Sequence, residues 1–440
     1  MKCLIIAAGQ GSRLRQYGDS KPLIPILGVP LIERVIRSAQ AAGADEFIVV
    51  TGYHGDRVGN FLERLAERLA IEITLLLNDE WEKENGLSVL KAREILHEPF
   101  LLLMADHLFE PSRARALTTL KLANGEIALG VDRDTCNTLV DMEDVTRVRV
   151  EDGNIRDIGK GLADFNGFDT GIFLCSPAIF GALEQSRVVD GDTTLSGAVR
   201  VLAAKGLAKA ISASGFWIDV DDSAAFKKAE NALLDRVRDK SNDGPVARYL
   251  NRPISLYFSR HLARLDITPN QISLFSFLCS LLAAGLFALG GYPALLVGGV
   301  LAQFASIVDG CDGEVARLKY QSSDFGGWFD AVLDRYADAF LLFGLTWHVL
   351  AIEANAWVLL TGFMAIIGSF LLSYTADKYD SLMRQKIQAR DSWLRMGRDV
   401  RVFIVFLGAA ANLVFPALVV IAVIMNLETL RRIRVAYGQR

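Results

Sequence analysis

From about residue 272 to 430 the chain consists of long apolar runs broken by short polar pieces, whereas the first 230 or so residues mix charged and apolar positions throughout. Apolar runs of about 20 residues match the hydrocarbon thickness of a bilayer, and on that measure the second half cuts into six spans. They cover 272–289, 293 to about 307, 329–352, 356–374, 402–414 and 415–427, the fifth being short. The first half instead alternates apolar stretches (LIIAA, EFIVVTG, ITLLL, FLLLMA) with amphipathic segments such as 30–42 and 56–69. Strands separated by helices predict an α/β domain on a parallel sheet covered on both faces. The expected architecture is therefore that domain followed by an all-α, six-helix transmembrane domain.

Charge placement orients the spans. The loops at 290–292 and 353–355 carry no Lys or Arg, while Arg384, Lys386, Arg390, Arg395, Arg398 and Arg401 lie between the fourth and fifth spans, and Arg431, Arg432 and Arg434 follow the sixth. Basic residues stay on the cytosolic side, so both termini, the basic loop and the stretch 309–334 are expected to face the cytosol of a multi-pass cell-membrane protein. The opening MKCLIIAAGQGS has too brief an apolar segment for a secretory signal, which keeps the first domain cytosolic. A turn cluster at Ser241, Asn242, Asp243, Gly244 and Pro245 marks the seam. The expected division is 1–228, a charged linker at 229–250, and a membrane domain at 251–440. Whole-chain figures, a net charge of -4 and 51% hydrophobic residues, describe neither half. Five scattered cysteines with no C-x-x-C pair argue against a disulfide framework and a zinc site.

The stretch DGCDGEVARLKYQSSDFGGWFDAVLD, Asp309 to Asp334, puts carboxylates beside apolar spans. Asp309 and Asp312 are three apart and Asp330 and Asp334 four apart, so each pair occupies one face of its own helix. If the helices pack together, four anions converge in a poorly solvated place and require a hard cation such as Mg²⁺, Mn²⁺ or Ca²⁺. Gly313, Ala316, Gly326 and Gly327 are small enough for close helix approach or for a ligand. Asp309, Asp312, Gly313, Ala316, Arg317, Gly326, Asp330 and Asp334 fit D-x2-D-G-x2-A-R-x8-G-x3-D-x3-D at every fixed position, and over residues 250–440 the chain resembles the CDP-alcohol phosphotransferase family. That resemblance implies a CDP-linked donor held through its diphosphate by metal, attack by an acceptor hydroxyl, and release of CMP. It assigns metal to Asp309, Asp312 and Asp330, metal or the proton-accepting role to Asp334, and the nucleotide pocket to Gly313, Ala316, Arg317, Gly326 and Asn270 of the segment ITPNQIS. Arg398 and Arg401, in GRDVR, match positions that hold an acceptor phosphate, with Lys378 and Arg260 weaker candidates.

The first domain opens with a strand and a glycine-rich turn, in which Gly9 and Gly11 let backbone approach phosphate closely. The third glycine of a dinucleotide fingerprint is missing; Arg13 and then Lys21, Pro22 and Leu23 follow instead. Residues 1–228 resemble the sugar-phosphate nucleotidyltransferases, implying a Rossmann-like mixed sheet, a nucleotide loop at Ala8, Gly9 and Gly11, and charge compensation by Arg13 and Lys21 as diphosphate leaves. The same resemblance assigns metal to Asp106 and to Asp219 or Asp221, base and sugar contacts to Asn85, Gly86 and Ser88, and hydroxyl recognition to Asp169 and Thr170.

Together the halves resemble fusions in which a cytidylyltransferase supplies a CDP-alcohol phosphotransferase. The resemblance implies CTP and inositol 1-phosphate as substrates, a CDP-alcohol (CDP-inositol) as the shared intermediate, Mg²⁺ or Mn²⁺ at both sites, membrane lipids around the second domain, a homodimer through it, and no nucleic acid. Two other readings are a cytidylyltransferase joined to a phospholipid-making enzyme, and a membrane-tethered nucleotide sensor whose first domain is inactive.

Overall fold

The structure is a computed structural model that describes residues 1–238, 244–383 and 397–437, without the side chains of 376–383, 435 and 436. Ser241, Asn242 and Asp243 of the expected seam, Arg384, Lys386, Arg390 and Arg395 of the basic loop, and the side chain of Lys378 lie outside the described residues. The chain divides into two compact units, Met1–Ala232 and Leu233–Arg440.

In the first unit the elements are β1 (Lys2–Ala7), β2 (Pro25–Ile26), β3 (Val29–Pro30), α1 (Leu31–Ala41), β4 (Glu46–Thr51), α2 (Gly55–Leu69), β5 (Glu72–Leu77), α3 (Asn85–Leu90), β6 (Phe100–Met104) and β7 (His107–Phe109). They continue with α4 (Pro111–Thr118), β8 (Ile127–Asp132), β9 (Arg147–Glu151), β10 (Asn154–Gly159), β11 (Gly167–Cys175), α5 (Ala178–Val189), α6 (Leu195–Ala204), β12 (Ala208–Ser212) and β13 (Trp217–Asp219), and α7 (Ser223–Arg238) crosses into the second unit. Nine strands form one sheet in the order β5-β4-β1-β6-β11-β8-β12-β10-β9. β1 runs parallel to β4 and β6, while β11 lies antiparallel between β6 and β8, so the sheet is mixed. Cys3, Leu4 and Ile5 are fully buried in succession, the pattern of a central strand covered on both faces. Leu4, Ile48, Leu102, Leu129 and Phe173, one from each of five strands, share one core.

Two features of this sheet position chemistry. β13 pairs with β7 in a small antiparallel ladder that sets Asp219 opposite His107. β11 changes register between Asp169 and Phe173, and inside that irregularity Gly171 has a φ of 71°, which a side chain would resist.

The second unit is helical: α8 (Arg252–Leu262), α9 (Pro269–Leu289), α10 (Tyr292–Leu318), α11 (Asp324–Ile352), α12 (Ala356–Met383), α13 (Arg398–Ala410) and α14 (Val414–Tyr437). Thr268 caps α9 through a capping box with Gln271, and Pro269 occupies the first turn, where its missing N–H has no helical partner to lose. Phe287, Leu341, Leu345, Val405, Leu418 and Met425 form the inner core. The outer faces are also apolar, with Phe275, Leu282, Val297, Phe363 and Val423 at least half exposed, an arrangement that suits lipid rather than water. Within α11, a Cβ on Gly344 would lie 2.6 Å from the Ala284 carbonyl oxygen, so this glycine lets α9 and α11 touch backbone to backbone.

Among the described residues four helices are long and apolar enough to cross a membrane: Pro269–Leu289, Tyr292–Leu318, Ala356–Thr375 and Val414–Arg434. α11 packs among them but carries Asp330, Asp334, Arg335 and Asp338, and α13 has only 13 residues. The second span, expected to extend past about 307 into the carboxylate stretch, is α10, which runs unbroken to Leu318 and carries Asp309 and Asp312 within it.

Two candidate active sites

In the first unit β1 ends at Ala7 and the chain turns through Gly9 and Gly11. Gly11 has a φ of 65°, and a Cβ there would lie 2.4 Å from that of Lys21; the turn thus requires glycine and is packed onto the lysine. Lys21 is only 9% exposed, and its Nζ lies 2.5 Å from Asp106 Oδ2 and also meets Asp221. Arg13 pairs with Asp144 at 2.9 Å and Asp221 at 3.2 Å. Asp106 follows β6, and its Oδ1 sits 2.9 Å from His107 Nδ1, which is 3.7 Å from Asp219 Oδ1.

These contacts set the protonation states. Burial opposes the charge on Asp106, but Lys21 and His107 outweigh it and hold the carboxyl well below its usual range. Burial also opposes charge on Lys21, and Asp106, Asp221 and Asp219 more than reverse this. His107 is pulled down by burial and raised further by Asp219, Asp106 and Asp169, to about 9. Burial, with repulsion from Asp106 and Asp221, lifts Asp219 to about 7 against the pull of His107. Burial lifts Asp169 to about 6. Asp219 and Asp169 are thus raised beside Asp106, which is held low, the uneven pattern of several carboxyls crowded into one buried place.

The second unit gathers its carboxylates from α10 and α11: oxygens of Asp309, Asp330 and Asp334 lie within 4.8 Å of one another. The hydroxyls of α9 support them, Ser276 donating to Asp309 at 3.1 Å and Ser273 to Asp312 at 2.5 Å. Asp312 is thus beside the group of three rather than within it. Arg398, at the start of α13, places Nη1 2.7 Å from both Asp309 Oδ2 and Asp334 Oδ1. Asp338, one turn beyond Asp334, is 4% exposed and takes Arg401 at 2.6 Å, Arg398 at 3.4 Å and the Ser369 hydroxyl at 3.1 Å.

Whether these groups suit a divalent cation can be read from their oxygens. Asp219 Oδ1 and Asp330 Oδ1 are both buried with no hydrogen-bond partner, one in each acidic group. A buried carboxylate oxygen left unpaired is costly, and a cation at each place satisfies it. The donor sets fit.

Several anticipated residues have other employment. Thr170 is fully buried and donates to the Gly130 carbonyl at 2.7 Å, so its hydroxyl is not available to recognise a substrate, contrary to expectation. Ser88 is buried on Asn78 at 2.9 Å, a Cβ on Gly86 would strike the Thr193 carbonyl oxygen at 2.3 Å, and Asn85 accepts from the Leu195 N–H at 2.9 Å. Asn85 and Gly86 thus brace α3 against the start of α6, and Ser88 ties it to the end of β5. The Ala8 carbonyl accepts from Tyr53 N–H, while nothing lies within 4 Å of where a Cβ on Gly9 would stand. In the second unit Asn270 lies beside Gly326, a Cβ there being 3.3 Å from its Oδ1. Gly313 and Ala316 are half-buried on α10, and Arg317 reaches the Val237 carbonyl at 3.4 Å. The functional groups that sequence reasoning missed are His107, Asp144 and Asp338. Asp338 had a signal, because it continues the i, i+4 spacing of Asp330 and Asp334 by one more turn.

Residues 3–183 match the family of MobA-like NTP transferase domains, and residues 266–430 match the CDP-alcohol phosphatidyltransferase family. The bifunctional IPC transferase and DIPP synthase of Rubrobacter xylanophilus is 37% identical over 98% of this chain and 95% of its own length. The chain belongs to this bifunctional family. Its relative of the same name from Aquifex aeolicus is 31% identical over 99% of this chain and 98% of its own. A solved inositol-1-phosphate CTP transferase from T. maritima is 26% identical, covering 52% of this chain and 93% of that one with a TM-score of 0.47. As a member of the bifunctional IPC transferase and DIPP synthase family, the chain is an enzyme with a nucleotidyltransferase unit and a CDP-alcohol phosphotransferase unit.

Proposed function

We propose that the two units run consecutive reactions. In the first, CTP and inositol 1-phosphate give CDP-inositol and diphosphate; in the second, CDP-inositol and another inositol 1-phosphate give di-myo-inositol phosphate phosphate and CMP. Arg13 and Lys21 turn from Asp144, Asp221 and Asp106 to the triphosphate and balance the charge that grows as diphosphate departs. A divalent ion, Mg²⁺ or Mn²⁺, when bound at each site screens the phosphates and eases loss of the leaving group.

In the second unit Asp309, Asp312 and Asp330 hold the donor's diphosphate through such an ion, and Asn270, Gly326, Gly313, Ala316 and Arg317 form the wall on the nucleotide side. Asp334 takes the proton of the attacking hydroxyl. Arg398 lies 2.7 Å from that carboxylate and occupies the oxygen, so this role requires Arg398 to leave it. An incoming acceptor phosphate gives Arg398 another anion to bind, and Arg401, fixed on Asp338, orients that end of α13. Binding the acceptor would thereby free the base that activates it.

We assign the first activity to 1–228 and the second to 251–440, joined by 229–250. We take α9 to α14 as six spans of the cell membrane, with both termini and both sites on the cytosolic side and a homodimer through the membrane unit, which suits the placement of Lys and Arg. The observation that carries the reading is the convergence of Asp309, Asp330 and Asp334 from two helices whose outer faces are apolar. The test is a time course with the purified chain, CTP, Mg²⁺ and labelled inositol 1-phosphate, followed by ³¹P NMR. CDP-inositol should rise and then fall as a water-soluble phosphodiester accumulates. Label passing into added lipid instead would favour a phospholipid product, and absence of CTP-dependent diphosphate release would end the proposal.

A further inference from the structure

We propose that His107 ligates the divalent ion of the first unit through Nδ1, which makes that centre a mixed imidazole and carboxylate site favouring Mn²⁺ or another borderline ion over Mg²⁺. The proposal rests on reading the first unit as a metal-dependent nucleotidyltransferase. One donor atom each from Asp106, His107 and Asp219 lies within 4.8 Å of the others, the span that a single ion bridges. The ring's orientation is fixed from two sides. Trp217 stacks over it with centroids 6.4 Å apart and planes 20° apart. On the other side, a Cβ on Gly171 would lie 2.4 Å from Cδ2 and 2.8 Å from Nε2, so the backbone of β11 closes off that edge. Nδ1 is therefore the nitrogen turned to the carboxylates.

The plain alternative is an imidazole that bonds to Asp106 and nothing more. That arrangement satisfies Asp106 but leaves Asp219 Oδ1 buried with no hydrogen-bond partner, 3.7 Å from His107 Nδ1. An ion between them takes up both atoms. Imidazoles that ligate metal usually face a carboxylate or carbonyl group on their other side, and Asp169, on the β11 side, is near enough for its charge to act on the ring. Oxygen-only ligation suits Mg²⁺, whereas an imidazole shifts preference along the first transition series. The group Asp309, Asp330 and Asp334 offers only oxygens, so one polypeptide would draw different ions to its two centres.

Pulsed EPR on Mn²⁺-loaded full-length protein tests this. The wild type should display a ¹⁴N coupling that becomes a ¹⁵N pattern when the protein is grown on ¹⁵N-histidine, a comparison that needs no mutation. The coupling should persist in the Asp309→Asn, Asp334→Asn double variant, which removes the membrane group. In His107→Gln it should vanish, with Mn²⁺ affinity at the first unit falling on the order of tenfold and Mg²⁺ affinity changing less. Mn²⁺ bound in the double variant without nitrogen coupling would overturn the role of His107 and leave the metal-dependent reading standing. No Mn²⁺ bound by the double variant would overturn that reading itself.

Discussion

The two acidic centres differ in how they are assembled. Asp106, His107 and Asp219 meet because a ladder between β7 and β13 joins parts of the chain more than a hundred residues apart. Asp309, Asp330 and Asp334 meet because α10 and α11 both pack on α9, with Asp330 and Asp334 one turn apart on α11 and Asp309 on α10. The balancing cations differ in the same way: Lys21 and Arg13 follow a glycine turn, whereas Arg398 begins a helix. A centre built on helices is written into short-range spacing. One built on strand pairing exists only once the sheet has formed.

That contrast can be broken at either end. The largest effect is expected from Asp334→Asn, which should slow the second reaction by at least about a thousandfold while the first continues, so CDP-inositol accumulates in the ³¹P spectrum. Loss of both reactions from a folded variant would mean that the centres are not separable. Lys21→Ala should lower CTP-dependent diphosphate release by about a hundredfold or more and leave conversion of supplied CDP-inositol intact. Asp338→Asn removes the partner of a buried guanidinium and should cost about 3 kcal/mol, measurable as earlier thermal unfolding in detergent, together with a raised KM for inositol 1-phosphate. An unchanged KM would detach Asp338 from the acceptor. Smallest of all, Thr170→Val should cost about 1 kcal/mol in stability and leave the first reaction's KM unaltered, since that hydroxyl is bonded to Gly130. A large change in KM would return Thr170 to the substrate.

The same contrast explains what was legible beforehand. Asp309, Asp312, Asp330 and Asp334 could be read from helical spacing together with the family signature, although the place of Arg398 between Asp309 and Asp334 could not, because that contact joins separate helices. Glu314 follows Asp312 by two residues, about 200° around the helix, and so turns to the opposite side. There it is fully buried on Arg252, Ser255 and Ser259 of α8, a role that motif reading passes over. In the first unit the strands were visible as apolar runs and Asp106 as the end of one. His107 was missed because neighbours along a strand point oppositely, and here the break between β6 and β7 redirects it. The choice between Asp219 and Asp221 depended on register: Asp219 faces His107, while Asp221 meets Lys21 and Arg13. The membrane count was blurred where α11 interrupts its apolar run with charge and α13 is short.

The unbroken course of α10 has a mechanical consequence. With no hinge between its lipid-like middle and Asp309, the rod works as a lever whose arm, from about Gly298 to Asp309, is on the order of 16 Å. A lean of about four degrees then displaces the carboxylate by about 1 Å, as much as separates a good coordination distance from a poor one. A bilayer whose thickness tilted this helix would thereby shift the Asp309 carboxylate relative to Asp330 and Asp334.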